Sequence, residues 1–63
     1  MIAKSDAKKI AQGIEIKAER VTTQLKGNQP GWEARPWEER RRIAINNLEE
    51  IIQMAKTLRD GLL

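Results

Sequence analysis

The chain reads as all-α: a two-helix antiparallel hairpin that dimerises into a four-helix bundle. Three observations lead there. Two stretches carry apolar residues at alternating steps of four and three, the spacing that lays side chains along one face of a helix. One Pro- and Gly-bearing connection separates them. The composition is 40% hydrophobic and 33% charged with two Trp and no Phe or Tyr, which suits packed helices far better than strands.

The first helix is expected over about residues 5–26. Ser5 or Asp6 is expected as its N-cap, because a short side-chain oxygen accepts from an orphaned N–H of the first turn. Met1 to Lys4 is expected to fray. Ala7, Ala11, Ile14, Ala18, Val21 and Leu25 form a narrow stripe with Ile10 beside it, and Ile16 faces away. Gly13 falls on the flank of the stripe. It reads first as a tolerated glycine, at a cost of roughly 0.5–1 kcal/mol relative to Ala, and second as a close backbone approach.

The connection is expected over residues 27–35. Gly27-Asn28 can end the first helix, since Gly adopts the left-handed conformation without a steric penalty. Pro30-Gly31 fits the centre of a type II turn, Pro setting φ at the first position and Gly supplying positive φ at the second. Trp32 and Trp37 bracket the second half of the loop.

The second helix is expected over about residues 36–60. Pro36 suits the first helical position, and Glu38-Glu39 favour the positive end of the helix dipole. Trp37, Arg41, Ala44, Leu48, Ile51, Ala55, Leu58 and Leu62 make its seam, widened by Ile45 and Ile52 on one flank and by Ile43 and Met54 on the other. The apolar arc covers roughly 200°, about twice the stripe of an ordinary surface helix. Gly61 is expected to stop the helix, with Leu62-Leu63 folding back or fraying.

The narrow first stripe cannot cover the wide second one. In a chain of 63 residues without Cys or His, neither a disulfide nor a zinc site can make up for a small core. A homodimer is the remaining remedy. Ile14, Val21, Leu25, Ile45, Leu48, Ile51, Ile52 and Leu58 are the expected core and oligomer interface, with Ile43, Ile45, Ile52 or Met54 buried between protomers.

The side-chain inventory argues against catalysis. The commonest general base and the strongest nucleophile are absent, the carboxylates Glu38, Glu39, Glu49 and Glu50 come as adjacent pairs pointing about 100° apart, and no phosphate loop is present. No cofactor is expected. Met1–Ile10 lacks the apolar core of a signal peptide and no apolar run approaches about 20 residues, so the expected location is the cytoplasm, away from membranes.

The net charge of +3 lies wholly in the N-terminal half, since from Pro36 onward five basic residues balance five acidic ones. The triplet Arg40-Arg41-Arg42 is the one local charge feature. It reads first as a solvated face, with Glu38 and Glu39 pairing Arg42 and with Arg41 snorkelling from the seam. Joined by Lys26 and Arg35, it reads second as a basic patch for phosphates or an acidic partner. Trp32 and Trp37 similarly read as caps on the end of the bundle or, with the nearby arginines, as a binding hot spot.

On the Ala/Ile/Val/Leu seam of the first helix and the Trp37–Leu62 seam of the second, the chain resembles the Rop-like helical-hairpin proteins. Its Leu25…Pro30…Trp32-Glu33 loop is loosely similar to the Rop-like proteins of nitrogen-fixation clusters. The resemblance implies a dimeric four-helix bundle. Its RNA-binding role does not carry over, because no matching RNA-contact motif stands on the first helix. The expected function is therefore a non-enzymatic, homo-oligomeric interaction or regulatory module that binds a protein partner through Trp32, Arg35, Trp37, Arg40, Arg41 and Arg42. A nucleic-acid-binding regulator and a structural subunit of a larger assembly are the alternatives.

Overall fold

The computed structural model of the chain describes residues 1–26 and 35–63. They form two α-helices, α1 (Lys4–Lys26) and α2 (Trp37–Leu62), packed against each other as an all-α helical hairpin. The Gly27-Asn28 stop, the Pro30-Gly31 turn and Trp32 lie outside the described residues.

The helix ends differ from expectation in instructive ways. Ser5 and Asp6 are both inside α1, and the first turn closes on the carbonyl of Ala3, which accepts from the Ala7 N–H at 2.9 Å. The terminus is pinned rather than frayed: the Ile2 N–H donates to the Gly61 carbonyl at 2.8 Å. Gly61 does not stop α2. The helix runs through it to Leu62, and Leu63 closes it by donating its N–H to Arg59 O at 3.1 Å. The contact there joins the two ends of the chain: Ile2 passes so close that it occupies the space a Cβ on residue 61 would need. Pro36 stands as N-cap of α2 at φ −59°, ψ 144°, and its carbonyl accepts from Glu39 and Arg40. Pro offers no side-chain acceptor there, so acidic Glu38 and Glu39 in the first turn are what complement the dipole.

The line of contact between the helices follows one stripe on each. On α1 it runs through Ala7, Ile10, Ile14, Lys17, Val21 and Gln24; on α2 it runs through Arg40, Ala44, Asn47, Ile51, Met54 and Leu58. Both are heptad patterns. Val21 and Ala44 are the buried apolar side chains among the described residues, and Gln24 is the buried polar one. Gln24 is satisfied: its Oε1 accepts from Asn47 Nδ2 at 3.1 Å. Gly13 leaves room for the Met54 side chain, since a Cβ there would stand 2.7 Å from the Met54 methyl. Thr22 and Thr23 sit inside α1 by donating their hydroxyls back to Ala18 O and Glu19 O.

A hairpin one helix thick has little interior. Its extents are 44 × 17 × 10 Å, and no side chain is fully buried among the described residues. Much of the apolar arc of α2 remains in contact with solvent.

Candidate functional site

The wide stripe of α2 divides in two. Ala44, Ile51 and Leu58 turn toward α1, whereas Trp37, Ile45, Leu48, Ile52 and Leu62 are 42–58% exposed. The same division occurs on α1. Ile14 and Val21 face α2, while Ala11, Ala18 and Leu25 are exposed, although all were expected in one seam.

The two exposed stripes lie on one broad side of the hairpin. At 3.6 residues per turn each stands about 90° round its helix from the line of contact, in the same screw sense. Because the helices are antiparallel, the same screw sense turns both stripes toward the same side. An open groove at the terminal end of the hairpin shows the result directly, for Ala7 and Ala11 of α1 line it together with Leu58 and Leu62 of α2, under Met1 and Ile2, with Lys4 and Lys8 at its rim. The opposite broad side carries the Lys17–Glu50 ion pair, and Asn46 and Gln53 lie beside it in a depression on the outer surface of α2 that Ile52 and Met54 also line. Ile43 and Met54 are half-buried on that side, so they do not join the open apolar face. Of the expected core and oligomer residues, Ile14, Val21, Ile51 and Leu58 belong to the hairpin, whereas Leu25, Ile45, Leu48 and Ile52 belong to this face.

The loop end of α2 holds the remaining expected binding residues. Arg40 lies over the Trp37 ring at 5.5 Å, a cation–π stack. Its Nε is buried without a hydrogen-bond partner among the described residues. The ion pairs differ from expectation. Glu39 pairs with Arg35 at 2.9 Å and Glu38 with Arg41 at 3.1 Å, while Arg42 has no ion pair among the described residues. The reason is that Glu39 lies four residues after Arg35, and Glu38 three before Arg41, so each carboxylate finds a neighbour one turn away. Arg35 and Arg41 are thereby partly neutralised. Trp32 lies outside the described residues.

The described residues contain no group of three or more His, Cys, Asp or Glu able to hold a metal. None of the described helices is long and apolar enough to cross a membrane. The Gln24–Asn47 pair was not anticipated from sequence. The signal was present, since both positions continue the heptad register of their helices, but two polar residues in register give no hint that they face each other. No family model, no curated protein and no solved structure matches this chain.

Proposed function

We propose that this chain is a non-catalytic interaction module that associates with a second copy through its open apolar face to close a four-helix bundle. The observation that supports this is the continuity of that face: Leu25, Trp37, Ile45, Leu48, Ile52 and Leu62 are all exposed on one side of a hairpin with almost no core of its own. A face of 44 by 17 Å compares with the ~800 Å² that each partner buries in a stable interface. Covering it supplies the apolar burial that a chain this short lacks. The absence of His and Cys from the sequence is in keeping with binding rather than chemistry. Cytoplasmic residence belongs to the same reading.

The bundle then presents its loop ends, where Arg40, whose guanidinium lies over the Trp37 ring, and Arg42, which has no ion pair among the described residues, form the surface offered to a protein partner. An aromatic ring braced by an arginine is the composition of a binding hot spot. A nucleic-acid-binding role is less well supported, because Arg35 and Arg41 are engaged by Glu39 and Glu38.

Light scattering across a dilution series, with helicity followed alongside, tests the reading. A dimer that stays helical is expected, and Leu48→Glu, which places a charge in the middle of the face, is expected to dissociate it. A helical monomer at every concentration would refute the proposal.

A further inference from the structure

We infer that the second copy lies antiparallel across the face, related by a twofold axis perpendicular to the helices, so that Trp37 of each copy fills the apolar groove at the terminal end of the other. This rests on the self-association proposed above and adds its geometry.

The face tapers. Along α1 the exposed stripe runs Leu25, Ala18, Ala11 from the loop end to the terminal end. On α2, Trp37 stands at the loop end, half-exposed, while Ala55 and the groove lined by Ala7, Ala11, Leu58 and Leu62 mark the terminal end. Bulk collects at one end and a hollow at the other. An axis perpendicular to the helices sets bulk over hollow. The alternative, an axis parallel to the helices, sets Trp37 against Trp37 and hollow against hollow. That leaves a void whose lining atoms lose their contacts.

The register is compatible with the antiparallel arrangement on both helices. Ala18 lies one heptad from Leu25 and one heptad from Ala11, so an axis passing Ala18 places Leu25 over Ala11 of the second copy and Ala18 over Ala18. The Gly13–Met54 approach and the Lys17–Glu50 ion pair put Leu48 nearly level with Ala18. The same axis therefore crosses α2 beside Leu48. It pairs Ile45 with Ile52 and brings Trp37 to the level of Leu58 and Leu62, where the groove lies.

Charge at the borders favours the same choice. The parallel arrangement would lay α1 over α2 of the second copy at equal height, with Lys8 level with Arg59 and Lys26 level with Arg41, and like charges facing each other are unfavourable. The antiparallel arrangement lays α2 over α2, where Glu38 comes level with Arg59 and Arg41 with Lys56, so an opposite-charge pair offsets the like-charge one.

Because the chain has no cysteine, single cysteines can report the geometry, each variant first being checked for parental helicity and mass. Ala18→Cys is expected to oxidise to a covalent dimer. Leu25→Cys and Ala11→Cys are expected to link to each other when mixed, at least several-fold more than either links to itself. Independently, Trp32→Phe leaves Trp37 as the sole tryptophan, and its emission is expected to shift to the blue as the dimer forms. A dimer in which Ala18→Cys fails to link, Leu25→Cys links to itself or Trp37 emission stays unshifted would overturn the arrangement while leaving self-association standing. A monomeric mass would overturn both.

Discussion

The polar pair between the helices makes the sharpest prediction about what holds the hairpin together. Gln24 is 6% exposed, and its carbonyl oxygen is served by Asn47 across the helix contact. Replacing Asn47 by Ala removes the donor and strands a buried carboxamide. Leaving such a group unsatisfied costs about 1–3 kcal/mol, and the better helix propensity of Ala recovers about 0.5 kcal/mol of it. The net expectation is a loss of about 0.5–2.5 kcal/mol. Gln24→Leu acts more gently, because Asn47 is only half-buried and can turn to water. In the double variant Gln24→Leu/Asn47→Leu no unsatisfied group remains, and stability should equal or exceed the parent's. The assay is urea unfolding followed by circular dichroism, at one protein concentration throughout, since association raises apparent stability. The signature is a double-mutant cycle of Gln24→Leu, Asn47→Leu and their combination, in which the two changes together cost less than Asn47→Leu alone. Were Asn47→Ala to unfold at the parent midpoint, the claim that this pair is a dry polar contact would be wrong. The double variant should also lose specificity, because a polar pair within an apolar seam disfavours a heptad slip.

Three further outcomes can be checked in the same format. Gly13→Ala should raise stability by about 0.5–1 kcal/mol, because the helix-propensity gain exceeds the cost of moving a flexible Met54 methyl; a lowered urea midpoint would show that the helices cannot give way there. Gly61→Ala should do the opposite, since the new Cβ would stand 2.9 Å from both Cβ and Cγ2 of Ile2, and accelerated hydrogen exchange at the Ile2 amide would report the released terminus. Glu50→Gln breaks the Lys17 ion pair, in which Glu50 is 59% exposed, so it should cost no more than about 1 kcal/mol, with the difference from the parent shrinking in high salt.

The existence and type of both helices were legible in the sequence. Alternating apolar spacing survives any packing arrangement, because it follows from the helical period. The boundaries were less legible. The start of α1 at Lys4 and the run of α2 through Gly61 depend on a contact between the two ends of the chain, the Ile2–Gly61 hydrogen bond, which no local propensity encodes. The ion pairs of the loop end could be narrowed to neighbours one turn apart, but Glu39 has basic residues one turn away on either side. The choice of Arg35 over Arg42 was made by the folded geometry.

The candidate face shows the same division. Which residues are apolar, and that α2 carries about twice the arc one neighbour can cover, are properties of the residue order alone. That Ala44, Ile51 and Leu58 meet α1 while Leu48, Ile52 and Leu62 stay open is a matter of how far each helix is turned about its own axis. Periodicity is unchanged by that rotation, since turning a helix moves every stripe together. Only the packing of two helices, with Gly13 under Met54 and Gln24 against Asn47, selects one angle and so decides which half of the arc stays exposed.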